Sequence, residues 1–435
     1  MRPSRIKNSM KHEEIEYTPE QLAAIAKLEE FVTAMYTDSW YFVFKGFAGT
    51  GKTTCMRRVT EIARKQGLKI EYTAPTNKAA KVLRGVVGKA VTTYSFLNLR
   101  VMKNGATKEI AFNKRERYNY SRIDVVVVDE GSMVNKELFR YLKEGAERFK
   151  YKVVFMGDPA QLPPVNETSS PALTGPIEVT LTKVMRHDNQ ILTFATHVRE
   201  QIESDDPFVE MRNDNDGEEG VWVLDRKDFR EMIFHAAREG EFDGETSKII
   251  AWRNARVKFY NDLARIAKYG DKAVPGYFLP GEMITVGSLC MWGEDPLMNT
   301  DDDGIILNVS ECEHPKYTQF KTFKLRVQPV DTLIDVPVDL YKIHPDSLEE
   351  YQDHVAWLAD EAKKAPKLWA DFWEIQDYFH DVRYSYAVTA HKAQGSTYRY
   401  VYVDSEDIMQ NRNEKEALSC LYVGSTRPTT RLFLT

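Results

Sequence analysis

The stretch "YFVFKGFAGTGKTTCMRRVTEIARK", residues 41–65, decides the fold. An apolar strand pattern over residues 41–44 runs into a glycine-rich loop and then into a helical pattern. The loop Gly46-Phe47-Ala48-Gly49-Thr50-Gly51-Lys52-Thr53 fits G-x-x-x-x-G-K-S/T in full. Glycines there let successive backbone N–H groups turn onto phosphate oxygens, and the helix that begins at Lys52 adds the positive end of its dipole. Lys52 has the reach for β and γ phosphates, and the Thr53 hydroxyl suits Mg²⁺. The cofactors implied are ATP and Mg²⁺, in a cradle of Gly46, Ala48, Gly49, Thr50, Gly51, Lys52, Thr53 and Thr54.

Two further apolar runs extend this reading. "RIDVVVVDEGSM", residues 122–133, is apolar without alternation, as in a strand buried on both faces of a parallel sheet. It ends in Asp129 and Glu130, at the strand edge where open α/β sheets bind ligands. Asp129 suits Mg²⁺ through water, and Glu130 suits activation of the attacking water. "YKVVFMGDPAQLPPV", residues 151–165, carries Gln161 just past its strand. That side chain can sense a γ-phosphate with no charge to repel it.

A chain of 435 residues exceeds one ordinary core, so two or more domains are expected. A net charge of −6 excludes a wholly basic nucleic-acid binder but not a local basic patch. One exists over residues 100–122, where Arg100, Lys103, Lys108, Lys114, Arg115, Arg117 and Arg122 face only Glu109 and Glu116. The acidic clusters "ESDDP" and "NDNDGEE" read as solvated loops. No apolar run is long enough to span a membrane, and residues 1–17 lack the apolar stretch of a signal peptide. A cytoplasmic protein with no membrane partner is expected, in the host cytoplasm if phage-encoded. Its four scattered cysteines, Cys55, Cys290, Cys312 and Cys420, read as reduced thiols rather than metal ligands.

The order of shorter motifs carries a family resemblance. "YTPEQLAAI" (17–25) precedes the phosphate loop; "TAPTNKAAKVL" (73–83) and "VTTYSFL" (91–97) follow it. Then come "GDPAQLPPV" (157–165), "LTKVMRH" (181–187), "AWRNARVKFYN" (251–261), "TAHKAQGST" (389–397) and "LYVGSTRP" (421–428). This series resembles superfamily 1 helicases, closest to the superfamily 1B branch and its phage Dda-type members, over nearly the whole chain.

The resemblance implies roles residue by residue. Gln21 would read the adenine edge. Pro75, Thr76 and Asn77 would touch the DNA backbone, as would Thr93, Tyr94 and Ser95; many relatives carry His where this chain has Tyr94. Arg186 and Arg427 match two arginine fingers that stabilise charge on the γ-phosphoryl group. Asn254 matches a DNA-contacting loop. Within "TAHKAQGST", Thr389, His391 and Lys392 suit strand phosphates, and Gln394 and Gly395 lie toward the nucleotide. The catalytic set is Lys52, Asp129, Glu130, Gln161, Arg186 and Arg427; the metal set is Thr53 and Asp129.

The implied fold is α/β, with two RecA-like parallel-sheet motor domains. The first, 1A, takes residues 1–98 and 123–190, interrupted by a β-hairpin, 1B, over 99–122. The second, 2A, takes 191–275 and 382–435, interrupted over 276–381 by a small β-barrel, 2B, with a helical extension. Phe112 in the basic hairpin either meets the DNA junction or packs the hairpin against its neighbour. Trp369, Phe372 and Trp373, at helical spacing, read as packing within the extension. The function implied is an ATP-dependent 5′→3′ DNA helicase of phage or bacterial replication or recombination. Its partners would be single-stranded DNA and a duplex junction, with replication or single-strand-binding proteins beside them and the chain a monomer. Two alternatives stand: a single-stranded-DNA translocase that displaces bound proteins, and a nucleotide switch without motor activity.

Overall fold

The strand Val125–Val128 lies inside a six-stranded sheet, and its side chains alternate between two cores. Val125 and Val127 pack with Leu28, Phe42, Phe44 and Val59, whereas Val126 and Val128 pack with Leu138, Leu142 and Phe155. Each of these valines is fully buried, and such burial contributes roughly 1.5–3 kcal/mol per side chain. This is why the run carries no polar alternation. The computed structural model describes residues 16–104, 107–112, 123–184, 190–244, 246–293, 295–330 and 336–435.

All six strands of this sheet run parallel, in the order Val91–Thr92, Ile70–Ala74, Val125–Val128, Lys152–Gly157, Tyr41–Gly46, Glu178–Leu181. The phosphate loop therefore leaves a strand flanked on both sides. A second six-stranded sheet has the order Ala387–Thr389, Ser247–Ala251, Tyr398–Val403, Pro428–Leu434, Gly220–Val223, Asp214–Asn215. Its strands are parallel except the short Asp214–Asn215 edge. Ala160 and Leu162, from the first sheet's loops, share a core with Ile191, Val401 and Leu421, so apolar packing is continuous between the two units.

The hairpin pairs Leu99–Asn104 with Thr107–Phe112. Phe112 lies opposite Leu99 in this register, at the end of the pairing away from Asn104 and Thr107. The remainder of the basic stretch, residues 113–122, lies outside the described residues.

The insertion differs from a closed barrel. It is an open five-stranded antiparallel sheet in the order Val338–Ile343, Lys321–Val330, Asp303–Glu313, Met283–Val286, Val382–Tyr384. The last strand has only three residues, too few to reach back to the first. His380 spans the gap instead: its N–H donates to Tyr341 O at 2.8 Å, and its Nδ1 accepts from Tyr341 N at 2.8 Å. Val382–Tyr384, assigned from the sequence to the returning motor segment, thus belongs to the insertion, and the motor sheet resumes at Ala387. The helices Leu348–Lys364 and Trp369–Tyr378 form the extension. Within it Trp369, Phe372 and Trp373 pack on one another, with ring centroids 4.8–6.3 Å apart.

The insertion is fastened at Asp303, which is buried and bonded to both motor units. Its Oδ2 accepts from Lys78 Nζ at 3.0 Å and Lys248 Nζ at 3.2 Å, and its Oδ1 from Ser385 Oγ at 2.9 Å. Burial opposes ionisation, yet the two ammonium groups hold this carboxyl well below the usual range. Removing one partner of such a buried group costs about 3–5 kcal/mol.

Candidate nucleotide site and motor cleft

The helix Lys52–Lys65 starts without a side-chain cap, and Gly51 at its N-cap holds φ 87°. Its first N–H groups are thus left for an external anion. The loop is tight: a Cβ at Gly46 would stand 2.7 Å from Thr50 Oγ1 and 2.9 Å from Lys52 Cγ. Lys52 Nζ pairs with no carboxylate among the described residues and donates to the loop's own carbonyls, Gly46 O and, at 3.1 Å, Phe47 O. An ammonium folded onto the loop that should hold phosphate fits a nucleotide there.

Gln21 braces this loop. It forms a capping box with Thr18, and its Nε2 donates to Thr50 O at 3.0 Å. Thr50 is buried and bonds Phe47 O. Thr53 and Thr54 sit half-buried on the first helical turn. Gly49 holds φ 75°, and Ala48 N faces the second motor unit.

Asp129 and Glu130 end the central strand together, half-buried. Glu130 N–H donates to Asp129 Oδ1 at 2.9 Å. Glu130 adopts φ 52°, a left-handed conformation that costs a non-glycine residue of order 1 kcal/mol. Burial pushes its carboxyl up to about 7, with Asp129 adding to the rise and Arg427 and Lys52 opposing it. Burial also raises Asp129, against the pull of the Glu130 N–H and Lys52. A carboxyl that ionises near neutrality suits proton abstraction from water. Thr53 and Asp129 offer the hydroxyl and carboxylate oxygens that a hard divalent cation prefers.

Three side chains of the second unit and the backbone of Gly395 close over this edge. Arg427 is buried, its Nε, Nη1 and Nη2 bonded to Val423 O, Ser396 O and Thr426 Oγ1, and its charge reaches Glu130. Gln394 Nε2 donates to Ser132 Oγ at 3.1 Å, Gln161 Oε1 at 3.2 Å and Leu162 O at 3.2 Å. Tyr422 donates to Asp158 Oδ2 at 2.7 Å and accepts from Ala48 N at 3.1 Å. Burial and Asp158 together hold its hydroxyl far above the usual tyrosine range. Gly395, at φ 75°, lets the turn approach so closely that a Cβ there would stand 3.1 Å from Ala79 Cβ. Sequence reasoning missed Tyr422, Asp158 and Ser132, although each lies within a quoted motif; what it lacked was a partner for each.

The expected strand contacts fall on corresponding turns of the two units. Thr76 caps the helix Asn77–Val87 through Ala79 N, and Thr389 caps Ala390–Ala393 through Lys392 N, so both hydroxyls are engaged by backbone. Pro75 precedes the first of these caps. Asn77 and Lys392 reach carboxylates of the insertion, at 2.9 Å and 2.6 Å. Asn254 is exposed at the first position of Asn254–Tyr269, a helix without a side-chain cap.

Thr93 departs from its expected role. It is fully buried and donates to Thr73 Oγ1 at 3.2 Å, because the chain starts a short helix there and turns this side chain into the sheet. Tyr94 packs half-buried against the core of Leu138 and Phe155, and Ser95 is the exposed residue of the segment. Arg186 lies within residues 185–189, outside the described residues. His391 Nε2 stands 3.7 Å from Glu416 Oε1, and burial lowers its pKa. Cys420 joins this pair, the donor atoms lying within 4.8 Å of one another. Burial pushes that thiol up to about 12. Among the described residues no helix is long and apolar enough to cross a membrane.

Known proteins bear on this arrangement. A family model described as an AAA domain matches residues 16–216, and one described as a UvrD-like helicase C-terminal domain matches residues 384–435. The chain is 24% identical over 494 aligned residues to an uncharacterized protein of Acanthamoeba polyphaga mimivirus, covering 95% of this chain and 98% of that protein. It is 28% identical over 434 aligned residues to the ATP-dependent DNA helicase dda of Enterobacteria phage T4, covering 89% and 92%. A Pif1 helicase structure described as unwinding forked double-stranded DNA shares the fold, with a TM-score of 0.52 at 14% identity over 96% of this chain and 92% of that one.

Fold and site together define a phosphate-loop ATPase built from two facing parallel sheets. In sequence the chain is similar to the dda helicase over most of its length, and in fold it is similar to the Pif1 helicase.

Proposed function

We infer that the protein is an ATP-dependent DNA helicase that moves 5′→3′ along single-stranded DNA and separates duplex ahead of it. One observation carries this reading: the turn bearing Lys392 also bears Gln394, which bonds Gln161 beside the phosphate loop. Nucleotide at one end of that turn and strand at the other are thereby coupled through rigid neighbours. ATP with Mg²⁺ would supply the cleavable phosphoanhydride and the charge that Lys52, Thr53 and Asp129 are placed to hold. Glu130 would take the proton of the attacking water, Gln161 would sense the γ-phosphate, and Arg427 with Arg186 would stabilise the transition state. Pro75, Thr76, Asn77, Ser95, Asn254, Thr389, His391 and Lys392 would line the strand path.

The direction of movement and a role in phage or bacterial replication or recombination follow from the resemblance to Dda-type enzymes; the relatives in phage T4 and a mimivirus support a viral setting. The test is unwinding of duplexes that carry a 5′ or a 3′ single-stranded tail. Separation from the 5′ tail alone is expected, and separation from the 3′ tail alone would overturn the direction. A translocase that only displaces bound proteins would hydrolyse ATP on single strands yet leave both duplexes intact.

A further inference from the structure

Three consecutive acids, Asp301, Asp302 and Asp303, form a turn that leads into the long strand Asp303–Glu313 of the insertion. Each carboxylate reaches a motor-unit side chain. Asp301 Oδ1 accepts from Lys392 Nζ at 2.6 Å, Asp302 Oδ1 accepts from Asn77 Nδ2 at 2.9 Å, and Asp303 takes Lys78 and Lys248. The turn is rigidly set. Asp301 holds φ 64°, its N–H donates to Val286 O at 2.8 Å, and Asp302 N–H donates to Asn299 O at 3.0 Å.

Lys392 and Asn77 come from opposite motor units, and both are assigned above to strand phosphates. The ammonium of Lys392 favours an anionic oxygen, and a carboxylate supplies the same acceptor chemistry as a phosphate. The two kinds of contact differ in exposure. The Lys392–Asp301 side chains are 34% and 41% exposed, whereas Lys248 and Asp303 are each 1% exposed. An exposed pair exchanges its partner at little cost, and a buried one does not. One end of the turn is therefore replaceable while the other anchors the insertion.

We propose that Asp301 sets the affinity of the strand-binding site: it holds Lys392 as a strand phosphate would, and the entering strand must displace it. The anchor at Asp303 keeps the turn beside the groove, ready to return when the strand leaves. This rests on the reading that Lys392 holds the strand.

The test is a double-mutant cycle on the full chain, with a fluorescein-labelled oligothymidine as probe and its Kd measured by anisotropy at fixed salt. Asp301→Asn is expected to tighten binding about two- to fivefold in the unaltered background, the range that an exposed ion pair supports. The gain is expected to vanish in a Lys392→Ala background. Equal tightening in both backgrounds would mark a general charge effect and overturn the proposal; so would unchanged or weaker binding by Asp301→Asn. Lys392→Ala separates the two levels. If it binds the oligonucleotide as tightly as the unaltered chain, the strand reading itself fails and the proposal with it. If it binds more weakly while Asp301→Asn changes nothing, only the proposal fails.

Discussion

The Gln394 side-chain amide donates to the Gln161 side-chain oxygen at 3.2 Å, across the cleft between the two parallel sheets. The same nitrogen also meets Ser132 Oγ and Leu162 O, so one residue of the second unit gathers three acceptors of the first. Replacing Gln394 by Ala removes this junction without touching the phosphate loop. Stimulation of ATPase activity by single-stranded DNA should fall about tenfold, the effect of roughly 1.4 kcal/mol on a barrier. Nucleotide affinity should stay within about twofold. Steady-state ATPase assays with and without oligonucleotide, beside a nucleotide titration, check both; undiminished stimulation would remove Gln394 from the coupling path.

Glu130 ionises near pH 7 in the folded protein because burial and Asp129 oppose its charge. As a base it works only when ionised, so the rate should rise as pH increases through about 7 and level off above it. Glu130→Gln should lose hydrolysis and this pH dependence together.

The same residue predicts a stability effect of defined sign. Its folded pKa lies above the unfolded value, so ionising it costs the folded state more than the unfolded one. Stability from this group is full below the unfolded pKa and declines as pH rises toward the folded one. Glu130→Gln, which is never charged, should therefore be more stable than the unaltered chain at pH 8, by about 1–2 kcal/mol, and nearly equal to it at pH 4. Denaturant melts at the two pH values measure the difference.

Lys52 is the ammonium that folds onto the Gly46 and Phe47 carbonyls. Lys52→Ala should reduce ATP hydrolysis by on the order of 10³ while preserving the fold, because the side chain bonds only its own loop. Retention of full activity with an unchanged circular dichroism spectrum would end the phosphate-loop assignment.

Gly395 combines φ 75° with a would-be Cβ contact of 3.1 Å to Ala79 Cβ. Gly395→Ala adds a left-handed strain of about 1 kcal/mol and pushes the turn away from the helix Asn77–Val87. The melting temperature should fall, and DNA stimulation of the ATPase should fall with it. A Gly395→Ala protein as stable as its parent would show that the two turns do not pack this closely.

Much of this protein was legible from local spacing. The phosphate loop, the apolar run that ends in Asp129 and Glu130, and the order of the later motifs each depend on residues close together in the chain. So do the paired hairpin strands and the two helices of the extension, whose periodicities are local. The insertion's openness was not legible: whether a short last strand closes a barrel depends on what stands opposite it, and His380 fills that place with a side chain. Thr93 reads as a DNA contact until its neighbour Thr73, 20 positions away, is seen to accept its hydrogen bond.

The sequence by itself determined the phosphate loop, because glycine spacing imposes backbone geometry directly, and its motif order, through a resemblance, pointed to two parallel-sheet units. Only the tertiary structure decided what those parts do to one another. It brought Gln394 to Gln161, Tyr422 to Ala48 and Asp158, and the three aspartates to Asn77, Lys392 and the two buried lysines. Those pairs are separated by tens to hundreds of residues, and a hydrogen bond or ion pair reports only distance in space. A run of acids looks like a solvated loop until the cations it answers are placed beside it.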